Sequence, residues 1–201
     1  MENLSGVRQL IVRQRKELAE VFGFETRNKY EIYNSDRILL GFCAEQQKGL
    51  FGFLLRQFLG HWRSFELLFF DAQRNKIMGA RHPFRWFFQE LMIYGRNGEP
   101  LGSLKQRFAW LRKKFDVVDE NGRLLLRMRS GFFQFWTFPF FRHETECAVI
   151  RKKWSGLLKE AFLDADNFSV EFTGELSEKE KKLILAASVF VDLQYFERKA
   201  H

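Results

Sequence analysis

The sequence predicts a mostly β protein, a closed antiparallel barrel with one apolar helix threaded through its centre. Three observations carry that expectation. From about Lys29 to Phe172 the apolar residues recur with a period of two, the signature of half-buried strands. Within that stretch four strand–turn–strand layouts follow one another with few helical intervals, which suits a meander that closes on itself. After it, a capped segment opens a helix whose middle is hydrophobic on every face, as a helix in the centre of a core must be. At 201 residues the chain suits a single domain, residues 1–201. The 17% aromatic content, with 25 Phe, favours strands, since large rings pack well on a pleated surface. It also leaves more apolar area than one core readily absorbs.

The elements follow in order. Leu4, Val7, Leu10, Ile11, Leu18, Val21 and Phe22 stand at three- and four-residue spacing and predict an amphipathic N-terminal helix over 3–22, stopped by Gly23. Barrel strands are expected over 29–173. The hairpins are Tyr30 to Leu40, Phe65 to Met78, Leu91 to Gly102 and Phe115 to Met128, each an apolar strand, a polar turn and a second strand. In the last, Asn121-Gly122 predicts a two-residue turn with positive φ at both positions. Ser177 and Glu180 form a capping box for a central helix over 178–198. Its clean apolar stretch, Leu183 to Val191, covers about 14 Å at 1.5 Å per residue, roughly half the hydrocarbon thickness of a bilayer. That is too short to span, so the barrel interior is its expected place.

No secretory signal and no run of about 20 uncharged apolar residues is present, so a cytoplasmic protein, peripheral at a membrane surface, is expected. Cys43 and Cys147 lack metal-ligand spacing and read as reduced core thiols. A net charge of +8 favours anionic partners, acidic lipid or nucleic acid, without choosing between them. The histidines, His61, His82, His143 and His201, show no paired ligand spacing, and no phosphate loop or nucleophile elbow occurs. No bond chemistry is expected.

Two segments make the chain recognisable. Gly23 to Ile32 (GFETRNKYEI) resembles the entry segment of phospholipid scramblases, and Lys153 to Phe168 (KWSGLLKEAFLDADNF) is more similar still. The likeness runs in register from about Val7 to Glu197. It implies the tubby-like fold, a barrel of twelve strands around a buried C-terminal helix. It also implies membrane phospholipids, anionic ones foremost, as partners, with calcium-assisted movement of phospholipid between leaflets. The alternatives are a scaffold that binds acidic lipid or phosphoinositide and moves nothing, and, less favoured, nucleic-acid binding. The proline-rich N-terminal arm and the acylated cysteine clusters of the animal members have no counterpart in this sequence. Trp86-Phe87-Phe88 stands where one such cluster would fall, and 49–62 occupies another.

Three aromatic stretches are candidate membrane contacts: Phe51, Leu54, Leu55, Phe58 and Trp62; Trp86, Phe87 and Phe88; and Trp136, Phe138 and Phe140. Rings flanked by arginine have the composition of interfacial anchors, yet rings at these spacings also fill cores, and Pro139 argues against a regular central strand. Arg112, Lys113, Lys114, Arg151, Lys152 and Lys153 form candidate anionic-lipid patches, with a solvated strand face as the plainer reading. By resemblance, Asp164, Asp166 and Glu175 mark a calcium segment at positions one, three and twelve of a loop. Phe168 and Phe172 at positions five and nine make it a weak site at best. No other cofactor is expected.

Overall fold

The computed structural model describes residues 1, 3–15, 26–46, 64–108, 114–131, 136–153 and 167–196. Twelve strands close into an antiparallel barrel in which each pairs with its neighbours in sequence and β1 pairs with β12. They are β1 (Gln9–Arg15), β2 (Thr26–Asn34), β3 (Leu39–Gln46), β4 (Phe65–Asp71), β5 (Lys76–His82), β6 (Glu90–Gly95), β7 (Pro100–Gln106), β8 (Lys114–Val118), β9 (Leu124–Arg129), β10 (Thr137–Arg142), β11 (Thr145–Lys153) and β12 (Asn167–Phe172). Among the described residues one helix is present, α1 (Glu178–Tyr195), buried from Leu183 to Gln194. The four expected hairpins form as β2–β3, β4–β5, β6–β7 and β8–β9.

The N-terminal helix expected over 3–22 does not run through its centre. Gln9–Arg15 is a strand whose Leu10 and Val12 point inward, and it bridges β12 to β2. Without it, two long sheet edges would expose unpaired backbone groups, so closure of the barrel outweighs a helical spacing of apolar residues. Residues 16–22 lie outside the described part.

The turns also differ from expectation, and in a regular way. Asp119 N–H donates to the Arg123 carbonyl and Gly122 N–H to the Asp119 carbonyl, with only Gly122 left-handed (φ 79°). This is a three-residue loop ending in a left-handed residue, not the two-residue turn that Asn-Gly suggested. The same backbone bonds recur at Asn34–Ile38, Asp71–Asn75 and Gly95–Glu99, with Arg37, Arg74 and Gly98 left-handed. Three of the four open on an Asn or Asp whose side chain accepts backbone N–H groups of its own turn. The loose internal repeat in the sequence is therefore a repeated turn chemistry.

Inside the barrel, Phe190 is fully buried and meets Phe115 edge-on at 5.7 Å and Phe65 at 6.3 Å. Charged groups of α1 gather at its two ends, while mid-helix Ser188 donates to the Leu185 carbonyl at 2.7 Å. At the first, the Ser177 box is complete and Arg142 reaches Glu180. Lys181 beside it donates to the carbonyls of Leu4, Ser5 and Val7 at 2.8–2.9 Å, tying the N-terminal residues to the helix. At the second, Asp192 accepts from Tyr30 at 2.8 Å and lies 3.5 Å from Lys152, whose ammonium stands 4.3 Å from the Phe196 ring centroid. Cys43 and Cys147 are buried and free, and burial pushes both thiols up.

Two stability predictions follow from these ends. Lys152→Ala leaves Asp192 buried without its cation and should cost about 3–5 kcal/mol in denaturant unfolding. A paired Lys152→Met, Asp192→Leu change should recover most of that, and a double variant as unstable as the single one would refute the pairing. At the other end, burial is the largest influence on Glu180 and would raise its carboxyl. The Ser177 backbone and hydroxyl and the Arg142 guanidinium together outweigh burial and hold it below its ordinary value. A folded carboxyl more acidic than the unfolded one stabilises above the ordinary glutamate range, and the gain is lost as pH falls through the folded value. Glu180→Gln should therefore lower the unfolding midpoint at pH 7, with the gap to the native chain closing toward pH 3.

Candidate functional site at the aromatic end of the barrel

Because neighbouring strands run in opposite directions, every second connection leaves from the same end of the barrel. The two ends have opposite compositions. At one end stand the turns at 35–38, 72–75, 96–99, 119–123 and 143–144 and the lead into α1 at 173–177, none containing an aromatic residue. At the other end, strands are joined by 16–25, 47–64, 83–89, 107–113, 130–136 and 154–166. All five tryptophans of the chain, Trp62, Trp86, Trp110, Trp136 and Trp154, fall in these connections, one in each of the last five. α1 ends there too, with Phe196 stacked on Trp136 at 4.9 Å.

The connection 83–89 shows how such a segment is held. Phe87 is 80% exposed, and Trp86, Phe88 and Phe84 are also exposed. Phe84 and Trp86 meet edge-on at 5.3 Å. Gln89 N–H donates to the Gln106 side chain at 2.9 Å, and Gln106 N–H returns to the Gln89 carbonyl at 2.8 Å. This fixes the loop against the end of β7, next to Phe108, which is 76% exposed. Phe88 adopts φ 49°, a left-handed conformation rare for a bulky residue, at a cost of about 1–3 kcal/mol. The loop is thus strained, tied twice to Gln106, and presents its rings to solvent.

Around this end runs a collar of ion pairs: Arg15–Glu31 at 3.4 Å, Arg81–Glu66 at 3.5 Å, Lys105–Glu90 at 3.8 Å and Arg107–Asp116 at 3.1 Å, with Arg85 also on Glu90. In every pair the carboxylate is the more buried partner and the cation the more exposed. The acids lie against the wall and the positive charge faces outward, so the collar presents a basic rim beneath the rings.

The residues singled out from sequence divide accordingly. Trp86, Phe87 and Phe88 are exposed at this end, and Trp136 is half-buried there. Phe138 and Phe140 are not contacts: both are fully buried on β10, because the ring-rich stretch runs from a connection into a strand whose alternate residues face the core. That strand forms despite Pro139, since β10 pairs with β9 only at Phe140 and Phe141, beyond the proline. Phe51, Leu54, Leu55, Phe58 and Trp62 lie outside the described residues, in the β3–β4 connection. Arg151 faces outward onto Glu171, whereas Lys152 faces inward onto Asp192 and is no part of a lipid patch; strand alternation splits the basic run. Lys114 opens β8 and is half-buried, Lys153 ends β11, and Arg112 and Lys113 lie outside the described residues.

The segment expected to hold calcium is in large part a strand. Its positions four to nine are β12, extended and paired on both sides, with Phe168, Val170 and Phe172 buried. At about 3.3 Å per residue the strand holds its ends roughly 17 Å apart, whereas ligands of one ion sit 2.3–2.6 Å from it. Glu175 is exposed past the far end of the strand from Asn167. Asp164 and Asp166 lie outside the described residues. Among the described residues no three His, Cys, Asp or Glu side chains converge as a metal site, and no helix is long and apolar enough to cross a membrane.

The sequence signal for this end was available but needs strand parity to be read: long aromatic connections alternate with short polar ones. Comparison with known proteins agrees with the architecture. A family model described as Scramblase matches residues 1–198. Human phospholipid scramblase 1 is 32% identical over 98% of this chain, which spans 65% of that protein's length. Human phospholipid scramblase 2 is 30% identical over 98% of the chain and 70% of its own length. A phospholipid scramblase family protein of Schizosaccharomyces pombe is 26% identical over 94% of the chain and 59% of its own length. A solved structure of an Arabidopsis thaliana protein, at 11% identity, superposes with a TM-score of 0.53 over 96% of each chain, a likeness of fold alone and of the tubby-like type. The chain thus belongs to the scramblase family, built on a tubby-like barrel.

Proposed function

We propose that this protein docks end-on against the cytoplasmic surface of a membrane, its aromatic end in the outer layer of an anionic leaflet, and promotes movement of phospholipid between leaflets. The exposed rings of Phe84, Trp86, Phe87, Phe88 and Phe108 at one end of the barrel, opposite turns whose residues include no aromatic, carry this reading. Tryptophan and phenylalanine gain most at the boundary between headgroups and acyl chains, and the basic collar suits acidic headgroups just above it. The names of the relatives support lipid movement as the outcome. Calcium assistance, implied by the same kinship, is included without an assigned set of ligands.

One observation favours a second reading, an acidic-lipid scaffold that moves nothing. The barrel interior is filled by α1 and offers no polar route for a headgroup. The two readings part in one assay. Vesicles carrying a fluorescent lipid receive the protein and then a quencher that does not cross the bilayer, with calcium or with chelator. Quenching well past the outer half without leakage supports movement. Quenching that stops at half, with protein still on the vesicles, establishes the scaffold. A rate that ignores calcium removes the calcium clause. A steep loss of binding between low and physiological salt would point instead to purely electrostatic association, as with nucleic acid.

The wedge itself is tested by Trp86→Ser and Phe87→Ser. Each ring, if buried in lipid, contributes about 1.5–3 kcal/mol, so each change should weaken vesicle binding about tenfold or more. Both side chains are exposed, so the unfolding midpoint should stay within about 0.5 kcal/mol of the parent. Unchanged flotation with vesicles would remove the aromatic end as the contact.

A further inference from the structure

At the end of the barrel that carries the short polar turns, the seam between β9 and β10 is incomplete. These strands pair only at Met128–Phe140 and Arg127–Phe141, so Leu124, Leu125 and Leu126 have no partner on β10. On the other side of β9 the ladder continues, with Leu126 on Val117 and Leu124 on Val118. The cause lies in β10. Its register against β11 shifts between Phe140 and Phe141, a bulge that bends the strand. Arg142 then turns to Glu180 and to the Glu175 carbonyl at 3.1 Å. The end of β10 is thereby drawn toward the start of α1 and away from β9. The strands part into a slot of about 280 Å³ whose lining reaches Glu180.

The slot has apolar sides and a cationic donor where it closes. Leu124, Leu125 and Leu126 line one side and Phe141 the other, and Leu124 keeps 44% of its surface exposed. Pairing resumes at Arg127 and Phe141, which close the slot. Arg127 Nε is walled off from solvent, yet it has no acceptor among the described residues. Its cross-strand neighbour Asp116 takes Arg107 instead. His143 adds an imidazole from the β10–β11 turn. Glu180, the carboxylate in the lining, is already held by Arg142 and by the Ser177 cap. A sealed-off cationic donor without an acceptor is costly, and an anion placed against it relieves that cost. An open strand edge likewise accepts an extended chain as a further ladder.

We propose that this slot binds the C-terminal end of a protein chain, an apolar last residue whose free carboxylate meets Arg127. Three features together select that occupant. The open edge from Leu124 to Leu126 runs about 10 Å at the rise of a strand, and the resumed ladder blocks any continuation beyond it. A chain entering from the rim must therefore end there, which brings its terminal carboxylate to the orphaned Nε. The leucines and Phe141 take its last side chain, while β9 supplies main-chain partners. The slot lies at the opposite end from the exposed rings, so the inference stands apart from the membrane reading. With the rings docked in a leaflet, the slot faces water.

The test titrates the isotopically labelled whole chain with a panel of tetrapeptides that differ in their last residue. Each is offered with a free carboxylate and again as the C-terminal amide, a comparison that needs no variant. Apolar-ended acids should shift the resonances of Leu125, Arg127 and His143 and bind about tenfold or more tighter than their amides. Arg127→Met should bring acid and amide level. Because Arg127 has no acceptor to lose, the same change should leave the unfolding midpoint no lower than the parent's. A lowered midpoint would show the guanidinium bound within the fold and overturn the site. Acids and amides binding alike, or shifts centred elsewhere, also overturn it. Acetate binding as tightly as the peptides overturns the chain as ligand. Equal binding when further residues follow the same sequence overturns the chain end. Flotation with vesicles should be unchanged by saturating peptide; its loss would put the slot in the membrane contact and overturn its independence.

Discussion

The structure depends on one constraint: a barrel of twelve strands is too wide to fill with its own side chains. About eight strands leave an interior that inward-facing residues just occupy. Four more open a lumen that must be packed by something else, and α1 is that filling, buried on every side from Leu183 to Val191. An apolar helix without a polar face is stable only in such a place. Its direction then fixes the rest. The chain enters at the polar turns, where Ser177, Glu180 and Lys181 find partners, and leaves at the aromatic end, where Asp192 meets Tyr30 and Lys152. Charged groups sit on the helix only where the barrel opens, and each end has a partner of opposite sign or a set of carbonyls.

Enclosure of the helix also decides which apolar surface is left to act outside. Once the longest hydrophobic segment is consumed as core, the exposed large rings among the described residues are those of 83–88 and Phe108, together at one rim. They are not leftovers of a poor fit. Phe88 holds a strained conformation and Gln89 is tied twice to Gln106. Strain of this kind persists only where the surrounding bonds over-determine it.

Much of this was legible in sequence, where local pattern and global demand agree. The four hairpins and α1 declared themselves because period-two alternation, turn residues and the capping box all pointed one way. Gln9–Arg15 misled because its inward residues, Leu10 and Val12, sit among others that happen to complete a helical stripe, and only the need to close the barrel decides against it. Phe138 and Lys152 misled for a related reason. Runs of rings or charges look like patches in one dimension, but a strand deals alternate residues to opposite faces. The aromatic end needed one further step, the parity of the strands, before the rings of 83–88 and Phe108 could be placed at the same rim.

That surface bears on how a filled barrel could move lipid at all. The collar pairs Arg81–Glu66 and Lys105–Glu90 lie within a few residues of the rim, and burying such pairs in hydrocarbon costs several kcal/mol per ion. Insertion on the proposed reading would therefore stop once the rings are under the headgroups, about 5–10 Å deep, in a core about 30 Å thick. A barrel seated so shallowly cannot supply a conduit. On the proposed end-on reading its lever on the bilayer would be local, with rings wedged into one leaflet displacing acyl chains. If the barrel moves lipid as proposed, the movement would be a property of the disturbed bilayer around it, and should grow with the number of barrels on a vesicle faster than one barrel at a time would allow.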